Sequence, residues 1–386
     1  MTEGLTVTVG GFLWRASRPL TRAGRRVFEE SLPYVLEGVD LLGEVEYPDG
    51  RPAVRVTGVG ELAAEEAAQR LARAAAIAAR VPDPGDRNQT PNRGEIPAGD
   101  FDPGTAFREI GPGVVVGTPD AARTMEAVDQ LSQRLPEFRS ATPLAVPGLV
   151  EVATLDRAGY LRSFPQHVTG CCIARPAIDS VEALAGGSAT AFDAATFALA
   201  PVGLPPAVCH NVYAYLAGTR LDADSVFSVR GSCARYEPAG FLPGRRHWSF
   251  TMREFVFAGT AVGATAFADL SLQRLTCVAE KLELPVRLAP ATDPFFGERA
   301  PTQTAFQISA KAKYELLGAL PGGDWLALAS LNVHRRHFSS AFGFHAADQT
   351  LAHTACVGFG LERWAYWLLS YCDPGDVPEL IGRAFR

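Results

Sequence analysis

A chain of 386 residues, 47% hydrophobic and 20% charged, can bury one large core or two modest ones and lies outside the composition of disordered or fibrous proteins. Its 42 acidic against 36 basic residues give a net charge of −6, so no global positive field draws it to a phosphate backbone, which counts against tRNA as a partner. No basic leader with an apolar run and no stretch of about 18 uncharged apolar residues occurs, and seven scattered cysteines do not make a disulfide framework. A cytoplasmic protein with no membrane partner is expected, with some cysteines available as metal ligands.

In chain order, residues 5–16 (LTVTVGGFLWRA) alternate like a strand, 25–39 have helical spacing, and 44–56 (EVEYPDGRPAVRV) read as a hairpin turning at Asp49-Gly50. Residues 61–81 form an Ala-rich amphipathic helix. The stretch 82–104 is rich in Pro, Gly, Asp and Asn and reads as a linker or mobile loop. The expected division is therefore 1–104, a small N-terminal α/β domain of unknown role plus linker, and 105–386, a catalytic domain.

Beyond the linker, 118–138 predict a helix, and from Val150 strand-like runs alternate with helices and turns. FSVRGSCARYEP (227–238), HWSFTMREFVFAG (247–259) and HTACVGFG (353–360) have the β-branched, aromatic and small residues of sheet segments, whereas 264–284 have a strong helical period. The expected fold class is α+β, a mostly antiparallel sheet flanked by helices.

The sharpest local feature is HTACVGFGLERW, in which Gly358 and Gly360 read as a turn allowing close backbone approach before Glu362 and Arg363 at a helix start. In CARYEP, Arg235 precedes Glu237 by two, a spacing that puts both on one face of a strand. After a loop, the chain returns with Phe250 and Glu254.

These two elements resemble motifs 2 and 3 of the class II aminoacyl-tRNA synthetases. The resemblance implies that Arg235 holds the α-phosphate of ATP, Glu237 reads the adenine edge, Phe250 stacks on the base, and Arg363 covers its other face near the γ-phosphate. Guanidinium forks match phosphates and stack on rings, so the residue types suit the roles.

From about residue 108 to 373 the likeness narrows. YLRSFPQ, PAVCHNVY, CARYEP, FTMREFVFAG, DPFFG, AKYELL, SLNVHRRHF and AHTACVGFGLER resemble the amino acid:[carrier protein] ligases, whose catalytic core is similar to that of the atypical zinc-dependent seryl-tRNA synthetases. That family implies a zinc ion on Cys209, Glu254 and Cys356, three protein ligands with a position left open for a substrate amino group. It implies ATP and Mg²⁺ as cofactors, a pocket role for Asn332 and Glu254, ATP-proximal roles for Lys313 and Glu315, and a homodimer with Pro165 at its interface.

The implied reaction is activation of a small amino acid (glycine, alanine or serine-like) as aminoacyl-adenylate, then transfer to the phosphopantetheine thiol of a carrier protein. The alternatives are an atypical seryl-tRNA synthetase and a catalytically silent amino-acid-sensing paralogue. Two departures from the family pattern stand out. Arg335 and Arg336 replace an acidic residue near SLNVH, and WLALASLN lacks the Mg-binding glutamate that class II relatives carry there.

Overall fold

The computed structural model describes residues 5–8, 11–36, 40–41, 45–57, 61–84, 96–187, 192–237 and 241–385. The N-terminal unit consists of β1 (Leu5–Thr8), β2 (Gly11–Arg15), α1 (Arg22–Val35), β3 (Asp40–Leu41), β4 (Ala53–Thr57) and α2 (Glu61–Ala78), with an antiparallel sheet in the order β1-β2-β4-β3. The single strand expected over 5–16 is two strands of one hairpin. The alternation runs through both and conceals the reversal, while a Cβ on Gly11 would lie 2.1 Å from the carbonyl oxygen of Val56 on the neighbouring strand. The expected turn forms at Asp49-Gly50, both at positive φ, beneath a Glu46–Ala53 bridge. Phe12 and Trp14 of β2 point inward and bury against Phe28 and Leu32 of α1 and Leu71 of α2, giving this unit its own core. Thr21 starts α1 by accepting the amide of Gly24 at 2.9 Å.

Residues 85–95 of the expected linker lie outside the described residues. From Ile96 the chain packs on the main domain, where Gly99 N donates to the carbonyl of Ser370 at 3.0 Å. There follow β5 (Phe107–Gly111), β6 (Val114–Gly117), α3 (Pro119–Ser132), β7 (Thr142–Leu144), β8 (Val150–Glu151), α4 (Val152–Arg157), α5 (Tyr160–Ser163), β9 (Gly170–Ala174), α6 (Ile178–Gly186), β10 (Phe197–Gly203) and α7 (Cys209–Tyr215). Then come β11 (Ser225–Ala234), β12 (Ser249–Gly259), α8 (Ala261–Leu282), β13 (Val286–Pro290), α9 (Ala300–Ser309), β14 (Lys313–Ala319), β15 (Trp325–Arg335), α10 (His337–Phe342), β16 (His353–Gly360), α11 (Leu361–Leu369) and α12 (Val377–Ala384).

Seven strands in the order β13-β14-β15-β16-β12-β11-β7 make the main sheet, antiparallel except where β7 joins β11. It is the expected α+β arrangement. The strand period of two divides β12 between two cores. Phe255 and Phe257 enter one with α8 and α11, beside Val357, Phe359, Trp364 and Trp367, whereas Val256 and Ala258 enter the other with α7 and α10. The second face floors the site described next. Among the described residues, no helix is long and apolar enough to cross a membrane.

Candidate active site

Strand register sets the floor. Glu254 of β12 lies opposite Gly358 of β16, and Val256 lies opposite Cys356, so Glu254 and Cys356 emerge on the same face. Helix α7 crosses that face and brings Cys209, whose amide donates to Glu254 Oε2 at 3.0 Å. One ligand atom from each of Cys209, Glu254 and Cys356 lies within 4.8 Å of the others, and all three residues are buried, with at most 5% of their surface exposed. Three residues separated by 45 and 102 positions thus converge into a donor set that could hold a metal ion.

Their electrostatics calls for a cation. Burial, joined by the neighbouring Cys356, pushes the Glu254 carboxyl up to about 8. The two thiols share a proton: Cys356 is held well below the ordinary thiol value by the hydrogen bond from Cys209, and Cys209 is raised well above it by the same bond and by burial. Two sulfurs that share a proton and a carboxylate that burial keeps protonated would release those protons to solvent on binding a divalent ion, a donor set that fits zinc.

The trio lines a cavity of about 670 Å³, and Arg235, Glu237, Phe250, Asn332 and Arg363 line it too, as do Lys313 and Glu315. Strand β11 ends at Ala234, but the amide of Arg235 still donates to Trp248 O at 2.9 Å, so Arg235 and Glu237 keep the facing that alternation predicts. Arg235 Nε donates to Pro206 O at 2.9 Å, and its guanidinium carbon stands 5.3 Å from the centre of the Phe250 ring. Glu237 pairs with Arg246 at 3.1 Å. Arg363 Nε donates to Arg245 O at 2.9 Å; burial, together with nearby arginines, lowers its guanidinium to about 10. Asn332 Nδ2 lies 3.2 Å from Ser330 Oγ and 3.8 Å from Cys356 Sγ. Lys313 pairs with Asp293 and, at 3.2 Å, with Glu315. Burial resists ionisation of Asp293, yet Lys313 and a hydrogen bond from Gln307 bring it down to about 2.

One reading of the motif needs correction. Gly358 and Gly360 do not form a turn: both belong to β16, and neither has positive φ. Gly358 is needed for space, since a Cβ there would lie 2.7 Å from Met252 Cε and 3.5 Å from Glu254 Cγ. Within the Glu-Arg pair the roles divide, with both carboxylate oxygens of Glu362 accepting the Thr251 amide, at 2.8 and 2.9 Å, and bracing β12. Arg335 and Arg336 are exposed and lie outside the cavity wall. Pro165 is exposed as well, at the start of a short turn over 165–167.

Sequence reasoning missed the groups around the thiols. His334 Nε2 lies 3.9 Å from Cys356 Sγ, and Tyr213 Oη lies 3.3 Å from His334 Nδ1. Tyr213 stacks on Phe338 with centroids 3.9 Å apart. His334 follows Asn332 by two on β15, but the pairing register shifts between Val333 and Arg335, so strand alternation alone does not fix its facing.

No family model matches the sequence. The chain is 34% identical over 268 residues to amino acid–[acyl-carrier-protein] ligase 2 of Bradyrhizobium diazoefficiens, a match covering 67% of this chain and 78% of that protein. It is 28% identical over 187 residues to the type-2 serine–tRNA ligase of Methanothermobacter thermautotrophicus, covering 46% and 36% of the two chains. Among solved structures, the crystal structure of A. aeolicus tRNASec in complex with M. kandleri SerRS aligns with a TM-score of 0.61 at 21% identity, over 96% of this chain and 77% of that one, a likeness of fold. The sheet, the converging motifs and the 34% identity agree: this chain belongs to the amino acid–[acyl-carrier-protein] ligases, ATP-dependent ligases on a class II synthetase-like core.

Proposed function

We propose that the chain activates a small amino acid as its adenylate and passes it to the phosphopantetheine thiol of a carrier protein. The observation that carries this reading is that Cys209, Glu254 and Cys356 share one cavity with Arg235, Phe250 and Arg363. A group able to read an amino end thereby sits beside groups able to read a nucleotide.

In this reading Phe250 and Arg363 sandwich the adenine, Glu237 accepts from its amino edge, and Arg235 binds the α-phosphate. An oxygen of the amino acid carboxylate attacks the α-phosphorus, and the bond to the bridging oxygen breaks to release pyrophosphate. Arg235 and Arg363 stabilise the charge that builds there, and holding the reactants in line does the rest. The carrier thiol, having lost its proton, then attacks the carbonyl carbon. The bond to the phosphate oxygen breaks and AMP leaves. No protein nucleophile is needed.

Cys209, Glu254 and Cys356 would hold zinc, which when bound supplies an open coordination position for the α-amino group. Asn332, touching Cys356, would orient the same substrate. Phe338, with His334 against it at 4.8 Å, lines the cavity beside the thiols and takes space that a long side chain would need, which supports a glycine-, alanine- or serine-like substrate. Mg²⁺ would accompany ATP. With no carboxylate in WLALASLN, Glu315, opposite Ser330 across the strands, is the cavity-wall carboxylate that stands nearest in register to that segment. A homodimer belongs to the same reading, supported by the exposed Ile173, Ile178, Phe192 and Leu199 on and beside the sheet of β8, β9 and β10.

The test is amino-acid-dependent ATP/pyrophosphate exchange over a panel of amino acids, followed by acceptor assays with a carrier protein and with tRNA. Exchange with small amino acids and transfer to the carrier are expected. Exchange with none would favour an amino-acid sensor, and transfer to tRNA alone would favour a synthetase.

A further inference from the structure

Arg235 and Glu237 sit just past Ala234, the last residue of β11 that pairs with β12. Among the described residues, three hydrogen bonds hold the backbone there. Arg235 N donates to Trp248 O at 2.9 Å, Trp248 Nε1 donates to Glu237 O at 3.3 Å, and between them Tyr236 N donates to His167 O at 3.3 Å. Two of these partners belong to the returning chain at Trp248. The third belongs to a turn over 165–167, distant in sequence and itself part of the cavity wall through His167.

That turn has no capping side chain of its own, and its bracing comes from outside. On one side stands α1 of the N-terminal unit. Its Tyr34 hydroxyl donates to Gln166 O at 2.6 Å, and its Glu30 carboxylate lies 3.2 Å from His167 Nε2, with the Glu30 and His167 side chains both less than a tenth exposed. Arg26 Nε donates to the other oxygen of Glu30 at 3.3 Å and so orients the carboxylate. On the other side, Gln166 Nε2 donates to Pro294 O at 3.0 Å, and Phe296 N donates to Ser163 O at 3.0 Å. Val27 of α1 buries with Val81 and Ala300, with Phe295 packed against them, which closes the same contact with apolar surface. Hydrogen bonds and short contacts therefore run from α1 through Gln166 and His167 to the amide that lies between Arg235 and Glu237.

We propose that Glu30 and Tyr34 of the N-terminal unit are positioning residues for nucleotide binding, which hold the Arg235–Glu237 backbone in place through the 165–167 turn. The proposal rests on the adenylation reading of Arg235 and Glu237. A preorganised site loses binding and rate when its groups shift, and a misplacement of about 1 Å can cost about 10²-fold. The proposal gives the N-terminal unit, which has its own core and lies outside the family resemblance, a task in the reaction. Contacts that only joined two units would not discriminate between the substrates. Contacts that place Arg235 and Glu237 do, because neither residue belongs to the thiol end.

The experiment uses the purified full chain as wild type, Glu30→Ala, Glu30→Gln, Tyr34→Phe and Arg235→Ala. It measures ATP binding by calorimetry, zinc content, KM for ATP and for the amino acid in exchange, and thermal melting. Glu30→Ala is expected to weaken ATP binding and raise KM for ATP about tenfold, with zinc content and KM for the amino acid unchanged, and Glu30→Gln should recover part of the loss. Tyr34→Phe keeps the ring edge-on to Phe296 at 5.7 Å and removes one donor, so a loss of about threefold for ATP alone is expected. Should Glu30→Ala fail to fold, Tyr34→Phe decides, since that side chain is 39% exposed and only its hydroxyl is lost. Wild-type ATP binding in Tyr34→Phe and in whichever Glu30 variants fold would overturn the proposal. So would equal losses for ATP, amino acid and zinc, which would mean a general loosening. If Arg235→Ala loses ATP while the α1 variants keep it, this proposal alone fails. If Arg235→Ala binds ATP as wild type does, the adenylation reading of Arg235 fails and takes the proposal with it.

Discussion

The two ends of the cavity are built by opposite means. The proposed nucleotide end comes from two short stretches, 235–250 and 358–363, and its charged groups are already tied: Arg235 to Pro206 O, Arg363 to Arg245 O, Arg246 to Glu237. The thiol end comes from residues 209, 254 and 356, joined only by sheet register and a crossing helix, and its cysteines are buried in one cluster with Tyr213 and Phe338, with a proton shared between the sulfurs. A nucleotide site of this kind can be written into local sequence, because the strand and loop that carry its cations also supply backbone acceptors to hold them. A metal site cannot, because its donors are useful only when three elements meet to within a few ångströms.

If that contrast is right, damage at each end should be separable. The largest effect is expected at the nucleotide end. Arg363→Ala should cut exchange about 10³-fold, a loss of roughly 4 kcal/mol of transition-state stabilisation, while zinc content stays that of wild type. Equal loss of zinc would break the division between the ends.

The second test is acid. His247 is buried, and its Nε2 accepts the Gly244 amide at 2.5 Å, so the fold requires the neutral ring. Burial first, then Arg363, lowers it from 6.5 to about 4. Between these values the unfolded chain binds a proton that the fold refuses. This contribution is complete above pH 6.5 and falls as the pH drops toward 4, by up to about 3 kcal/mol. Urea melts of wild type against His247→Gln, which lacks the titration, should show wild type losing more over that window. Parallel curves would remove His247 from the account of the loop.

Next in size is Gly358→Ala, which puts a methyl 2.7 Å from Met252 Cε on the floor between the two ends. The end of a methionine can move, so the fold should survive with a cost of about 1 kcal/mol, while exchange falls roughly tenfold. Unchanged exchange would mean that substrates do not lie on that floor. The smallest effect is Arg336→Ala, exposed and outside the cavity wall: less than about 0.5 kcal/mol in stability, and no change in exchange. A marked loss there would restore the family's acidic-residue position to the pocket.

The same contrast governs what could be read from sequence. Helices α3 and α8 followed from periodicity, and β12 from its β-branched and aromatic run. Arg235 and Glu237 faced as alternation required, even though the strand ends at Ala234. The hairpin of β1 and β2 was lost because alternation continues through a reversal. Gly358 was found for the wrong reason: its value is the missing side chain, which depends on Met252 and Glu254 across the sheet, and not a turn. The thiol end was legible only through family resemblance, since no spacing relates 209 to 254 or 356. His334 sits where β15 shifts its pairing register, and Tyr213 reaches His334 through packing between elements that sequence alone does not pair.

The most direct test of two chemically distinct ends in one cavity is to measure zinc content, ATP binding and amino-acid-dependent exchange together in Cys356→Ser. The account predicts about one zinc per chain in wild type, loss of zinc and of exchange in the variant, and ATP affinity within about threefold of wild type, since the metal end reads the amino group and the arginines read the nucleotide. A Cys356→Ser protein that keeps both its exchange activity and its metal, or a wild-type enzyme that activates an amino acid with no metal bound, would contradict it.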